Sequence, residues 1–218
     1  MKIATWNLQR LDKRKDTQIL DKLVEINADI IVLTETAFNI QLPNYSCVST
    51  LSLPTNFDSV NYKKGENRVS ILTKYKVIAQ YKTFDNYTTV CADLETPYGI
   101  LTTYGSIIGV FGNKQPRFNQ DLEGHLSDFK NLFPNKQICF LGDFNTTFSG
   151  RTWPSKLARN TLNNTFKTYE LTNVTEQISD TVEHIVLSNK LIENNHIKTS
   201  VWNTDKKLSD HLGICIDF

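Results

Sequence analysis

The sequence predicts packed, mostly antiparallel β-sheets covered by helices, an α/β (α+β) arrangement. Three observations carry that prediction: many short apolar or alternating runs, two long amphipathic segments among them, and hairpin-like spacing of neighbouring runs such as 69–82 and 88–104. A wholly parallel, doubly wound sheet is disfavoured. No G-x-G-x-x-G or G-x-x-x-x-G-K loop occurs, and 9 Gly leave little room for one.

In chain order, the apolar runs predict strands at 2–6 (KIATW), 30–34 (IIVLT), 69–73 (VSILT), 76–82, 88–94 (TTVCADL), 99–104 (GILTTY), 137–141, 183–188, 197–202 and 213–217. Residues 16–27 read as a helix whose apolar face is Ile19, Leu20, Leu23, Val24 and Ile26. A second helix, 117–133, repeats Phe118, Leu122, Leu126, Phe129, Leu132 and Phe133 at helical spacing, and Pro134 with Asn135 stops it. A shorter helix is expected after Pro154. Segment 52–67 (SLPTNFDSVNYKKGEN) is polar and without periodicity, so it reads as a loose loop. With no repeat, low-complexity tract or linker, residues 1–218 read as a single domain.

At 39% hydrophobic and 22% charged the composition is that of an ordinary globular chain, and a formal net charge of +1 argues neither for nor against an anionic partner. Cys47, Cys91, Cys139 and Cys215 are scattered, with no C-x-x-C, so neither a disulfide framework nor a zinc site is indicated. No apolar stretch is long enough for a leader or a membrane span, which makes the cytoplasm the expected compartment and a monomer the expected state.

Several apolar runs end in groups that can bind a metal ion or a phosphate. Asn7 follows TW, Glu35 ends VLTET, Tyr104 ends the 99–104 run, Asp143 and Asn145 follow QICFLG, and Asp210 with His211 precede the last strand. Singly, each has a bland explanation: an Asx-turn, a helix or loop cap, a solvated carboxylate, a core tyrosine. Jointly they point to side chains held at the rim of a sheet and facing a cleft.

The ordered set Trp6-Asn7, Leu33-Thr34-Glu35-Thr36, the run ending at Tyr104, Gly142-Asp143-Phe144-Asn145 and Ser209-Asp210-His211 resembles the endonuclease/exonuclease/phosphatase superfamily of exonuclease III- and DNase I-like enzymes. The resemblance spans residues 5 to 214. It implies a four-layer α/β/β/α sandwich with the site where strand ends converge. It also implies a phosphodiester hydrolase using Mg²⁺ or Mn²⁺, most readily a nuclease on DNA or RNA. A phosphatase acting on a small or lipid-linked phosphate, and a catalytically weak nucleic-acid-binding relative, are the alternatives. Carried over by position, Glu35 would bind the metal with Asn7 and Asp210 near it. Asp143 would handle the attacking water, Asn145 and Tyr104 would donate to the phosphate, and His211 would bind or protonate it.

That division of labour is chemically coherent. A hard cation takes oxygen ligands, neutral or cationic donors suit phosphate oxygens, and one anion is needed at the water. Two departures from the family pattern stand out. The acid expected to orient His211 is Glu183, in TVEHIVLS, one methylene longer than the usual aspartate; and Gln9 stands where an acidic neighbour of the metal site is usual. His184, beside Glu183, should face the other side of its strand and be structural. Arg117, Lys114, Arg151 and Trp153 are the candidate substrate contacts, with 148–156 (FSGRTWPSK) as the substrate loop.

Overall fold

The computed structural model describes residues 1–10, 13–109, 116–193 and 195–218. Strand β1 (Lys2–Asn7) pairs in parallel with β2 (Ile30–Ala37), and helix α1 (Asp16–Ile26) makes the crossover that a parallel pair requires. The helix closes at Asn27, which takes a left-handed φ of 50° and donates its N–H to Leu23 O.

Strands β3 (Ser46–Ser49), β6 (Glu66–Thr73), β13 (Lys198–Trp202) and β14 (Gly213–Asp217) complete this sheet in the order β13, β14, β1, β2, β6, β3. Every pair except β1–β2 is antiparallel. The short strands β4 (Asn56–Phe57) and β5 (Val60–Asn61) form a separate ribbon.

The second sheet repeats the plan. It holds β7 (Lys76–Tyr81), β8 (Thr89–Thr96), β9 (Gly99–Ile107), β10 (Gln137–Asp143), β11 (Leu171–Asn173) and β12 (Glu183–Ser188), in the order β11, β12, β10, β9, β8, β7. Only β9–β10 is parallel, and α2 (Arg117–Leu132) lies in its crossover. Helix α3 (Lys156–Thr168) follows β10, and one turn, α4 (Asn189–Ile192), follows β12.

Period-two alternation sorts the side chains into layers. Ile3, Ile30, Val32, Val69 and Ile71 face Val90, Leu94, Leu101, Leu141 and Ile185 between the sheets. Ala4, Trp6, Ile31 and Leu33 point the other way, onto Ile19 and Leu23 of α1. On the far side Tyr104, Phe140 and Val186 pack under Phe118 and Phe129 of α2 and Leu162 and Phe166 of α3. The layers are helix, sheet, sheet, helix. Gly105 marks how closely the sheets approach: a Cβ there would lie 3.0 Å from Val69 Cγ1 and 3.1 Å from Val32 Cγ1.

Most predicted strands are present, but several run further than the apolar runs suggest. β2 continues to Ala37, β9 to Ile107 and β10 to Asp143, because pairing with a neighbour holds polar residues that propensity alone would release. The edge strands β3 and β11 have no strong pattern of their own. The helix after Pro154 is a full 13 residues, capped by Ser155 Oγ, which accepts from Ala158 N at 3.1 Å. Segment 52–67 is more ordered than expected: it contains the β4–β5 ribbon and a bridge from Ser52 to Asn67.

Gly142 has a specific steric reason. Its φ is 137°, and a Cβ there would come 2.0 Å from the carbonyl oxygen of Ser106 on the parallel neighbour β9. Backbone cannot yield as a side chain can. Gly142→Ala is therefore expected to destabilise the protein by roughly 2–5 kcal/mol, combining strain with overpacking, as measured by denaturant unfolding.

Candidate active site

The topology decides which strand ends meet. β1, β2 and β10 bring their C-terminal ends to one rim, while β12 and β14, antiparallel to them, bring their N-terminal ends to the same rim. Asn7, Glu35, Asp143, Glu183 and the Asp210–His211 pair are delivered by those five strands. There Gln9, Arg10, Glu35, Asp143, Asn145, Asp210 and His211 line a cleft of about 280 Å³.

Asp143 is the centre of it. Its carboxylate is buried at 2% exposure; Oδ2 accepts from Asn7 Nδ2 at 3.0 Å and Oδ1 from Asn145 N at 2.9 Å. One oxygen is thus fixed from the other sheet and one by the turn that follows β10. Burial raises the carboxyl pKa, and His211 and the two hydrogen bonds pull it back only in part. Asn7 is itself oriented, since its Oδ1 accepts from Gln9 N at 2.7 Å and its carbonyl accepts from Ser209 Oγ at 2.6 Å. Asn145 has a left-handed φ of 45°, which asparagine tolerates, and donates Nδ2 to Ile108 O at 3.0 Å.

Glu35 reaches the cleft by a backbone device. Strict alternation would send it with Ile31 and Leu33 toward α1, but its φ of 47° breaks the pattern between the paired residues Thr34 and Thr36. Its carboxylate makes no hydrogen bond or ion pair among the described residues. Burial raises its pKa, Arg68 opposes that, and Asp143 and Asp210 add to it. Arg68, on β6, is 2% exposed and donates to Tyr62 Oη at 2.8 Å. Its charge acts on both Glu35 and Asp143, and an arginine opening the strand-like RVSILT run was the signal for it.

His211 Nδ1 lies 3.1 Å from Glu183 Oε1, and Nε2 lies 3.6 Å from Asp210 Oδ1. The extra methylene of Glu183 therefore does not break the pair. Burial by itself would lower the imidazole pKa, but the close Glu183 contact and the charges of Asp143, Glu183 and Asp210 raise it to about 10. Burial and the Asp143 charge push Glu183 up to about 7, against the pull of His211. The surrounding acids thus favour the charged imidazolium form of His211. Its loop is anchored by Trp6 Nε1 and Asn203 Nδ2, both donating to His211 O, at 3.2 and 2.7 Å.

Other candidates are placed elsewhere. Tyr104 is not at a strand end, because β9 runs on to Ile107. It sits fully buried in the aromatic layer under α2, donating to Asp128 Oδ2 at 2.7 Å, with its pKa raised by burial and by Asp128. It does not line the cleft. Arg117 is spread over Asp121, Asp85 and Asp58 at 2.7, 2.8 and 2.9 Å, tying α2 to two loops. Arg151 and Trp153 are exposed in the turn after β10 and do not line the cleft either. Lys114 lies outside the described residues. His184, as expected, is structural: it faces Phe144 and Phe148, donates Nε2–H to Thr146 O at 3.0 Å, and burial lowers its pKa to about 3.

Buried Asp143 and Glu183, half-buried Glu35 and the imidazole of His211 thus meet at one rim of a two-sheet sandwich. The model of the endonuclease/exonuclease/phosphatase family matches residues 4–211, and the chain belongs to that family. Among solved structures it is similar to an AP endonuclease from Archaeoglobus fulgidus, at TM-score 0.75 and 14% identity, covering 100% of this chain and 99% of that one. It is also similar to the 3′ phosphatase NExo from Neisseria bound to product DNA hairpin, at TM-score 0.74 and 16% identity, covering 100% and 99%. The endonuclease domain of TRAS1, a telomere-specific non-LTR retrotransposon, gives 0.71 and 16%, covering 100% and 97%. At these identities the likeness is one of fold. No match was found among curated protein sequences. No helix is long and apolar enough to cross a membrane.

The His211–Glu183 pair makes stability depend on pH. The imidazole goes from 6.5 unfolded to about 10 folded, so its contribution is complete below about pH 6.5 and is lost as pH rises toward 10. The raised pKa of Glu183 acts in the same direction between 4.5 and about 7. In metal-free protein the thermal midpoint should fall from pH 6.5 to 10, by roughly 2–4 °C per kcal/mol at this chain length. Glu183→Gln should flatten most of that decline in a calorimetric pH series.

Proposed function

We propose that this protein is a Mg²⁺- or Mn²⁺-dependent nuclease that hydrolyses phosphodiesters by in-line attack of water. The observation that carries the reading is the buried Asp143 carboxylate, held by Asn7 and Asn145 in a cleft that Glu35 and His211 also line.

The donor set suits a hard cation. Glu35 and Asp210 offer carboxylate oxygens to the cleft, and Glu35 has no hydrogen-bond or ion-pair partner among the described residues that a metal would need to displace. Asp143, Glu183 and His211 also place ligand atoms within 4.8 Å of one another, but Nδ1 of His211 is committed to Glu183 and a protonated ring offers no lone pair. Glu35 is therefore the better holder, with Asp210 on the same cleft and Asn7 as the further ligands that the family resemblance implies. Gln9 adds no charge there; it braces the site instead, accepting Asp210 N on Oε1 at 3.2 Å. When bound, the cation would neutralise charge on the phosphoryl oxygens.

The protein's own groups supply the rest. Asp143, its pKa raised by burial, aligns the attacking water and takes its proton. The imidazolium of His211 and the amide of Asn145 bind phosphate oxygens and stabilise the charge that grows on them at the transition state. Glu183 fixes the ring orientation of His211 and keeps it charged. A structural relative bound to a product DNA hairpin, together with the basic groove beside the cleft formed by Lys63 and Lys64, favours a nucleic-acid strand over a small phosphate.

Asp143→Asn is expected to lower kcat on DNA or RNA oligonucleotides by roughly 10²–10⁴-fold at saturating Mg²⁺ in protein that is still folded by circular dichroism, with a lowered thermal midpoint because its new NH₂ meets a donor from Asn7 Nδ2 or Asn145 N. Full activity in that variant would overturn the assignment. A panel of single-stranded, double-stranded and abasic nucleic acids beside phosphomonoesters and inositol phosphates tests the substrate class. Glu35→Gln is expected to weaken Mg²⁺ binding in isothermal calorimetry by more than the roughly 10–100-fold that loss of an outer-shell partner costs. Unchanged affinity would move the metal elsewhere.

A further inference from the structure

A second cavity, of about 510 Å³, opens beside the cleft and shares Arg10 with it. That volume lies in the roughly 300–1,000 Å³ range of small-ligand pockets. One wall is the end of β2 with Phe38 and Asn39; the other is the turn between β5 and β6 with Lys63 and Lys64.

The walls are tied to each other. Phe38 N donates to Gly65 O at 3.0 Å, and Glu66 N donates to Lys63 O at 3.1 Å. Arg10, at the junction with the cleft, is held by Nε to Glu66 Oε2 at 3.1 Å and lies over the Tyr62 ring at 4.5 Å. The pocket is therefore preformed.

Its chemistry is uneven in a useful way. The lining is mostly apolar, from Ala37, the Phe38 ring and the stems of the lysines. Phe38 leaves 41% of its surface to solvent, so a flat face is available for stacking. Lys63 and Lys64 are exposed and form no ion pair among the described residues, while the one acid of the pocket, Glu66, is already paired with Arg10. An apolar slot with an aromatic wall and a cationic rim complements a ligand that is flat and aromatic in the middle and anionic at its edge. A nucleotide has that shape, and continuity with the cleft would leave its phosphate next to the reacting one.

We propose that this cavity is a nucleobase subsite: Phe38 stacks on the base of a nucleotide flanking the scissile phosphate, and Lys63 and Lys64 hold the adjoining backbone. The proposal rests on the nuclease reading and deepens it, since it moves substrate recognition from the 148–156 turn to the β2 end and the β5–β6 turn.

The test compares wild type, Phe38→Ala and Phe38→Trp on two substrates with Mn²⁺: a single-stranded oligonucleotide scanned with one abasic nucleotide at a time, and an oligonucleotide abasic at every position, a diester chain without a base. Phe38→Ala should raise KM for the oligonucleotide about tenfold, leave the base-free diester unchanged, and be rescued by Phe38→Trp. In wild type one abasic position should reproduce that rise, and at that position Phe38→Ala should add nothing. Equal loss on both substrates, no loss on either, or additivity at every abasic position would overturn the subsite. Oligonucleotide affinity is also read by fluorescence anisotropy in an Asp143→Asn background. If wild type cleaves neither substrate but Phe38→Ala still weakens binding tenfold, the nuclease reading fails and the base subsite stands. Absence of oligonucleotide binding overturns the subsite.

Discussion

The hydrogen bond from Asn7 Nδ2 to Asp143 Oδ2, 3.0 Å long and buried, joins the two sheets at the place where the chemistry is assembled. Asn7 ends β1 in one sheet and Asp143 ends β10 in the other, so this contact sets how far apart the two rims sit. The same inter-sheet face carries Glu183, whose Oε2 lies 3.5 Å from Thr5 Oγ1 across the gap. Without close packing at Gly105, Val32 and Val69, neither bond would have its partner within reach. The site is a product of the sandwich rather than of any one loop.

Burying acids at that seam is costly, and the protein offsets the cost locally. Asp143 has two hydrogen bonds, Glu183 has an imidazolium, and Arg68 lies behind Glu35 as a fixed positive charge. Glu35, on the cleft, has only these longer-range charges to answer it, with no hydrogen bond or ion pair among the described residues. Its left-handed backbone is the strain that accompanies that placement.

The two departures from the family pattern have different outcomes. Glu183, one methylene longer than aspartate, still brings Oε1 to 3.1 Å from His211 Nδ1, an ion-pair contact whose alignment is not that of a regular hydrogen bond. Gln9 changes the electrostatics, removing a charge while keeping a hydrogen-bonding role toward Asp210 and Asn7. Tyr104 is the clear failure of motif reading. A tyrosine that ends an apolar run looks like a rim residue, yet three more residues of β9 pair with β8 and β10 and place it in the middle of a strand. Alternation then turns it toward Phe129 and Asp128, on the helix side of the sheet.

Much of this protein was legible in the order of its residues. Period-two and period-3.6 patterns marked the strands and α1 and α2, because each element must bury one face whatever its neighbours are. Asn7, Glu35, Asp143 and Asn145 stood out as polar groups ending apolar runs and Asp210 with His211 as polar groups before the last strand, while Glu183 was named only through the family resemblance; the structure brings these residues to one rim. Tertiary structure alone decided how far each strand runs, that Arg117 is consumed by three aspartates, that Arg68 backs Glu35, and that the pocket beside the cleft is walled by Phe38 and Lys63. The physical reason is the same in each case. Strand ends, ion-pair partners and pocket walls are set by residues distant in the chain, and a local pattern carries no information about what will be packed against it.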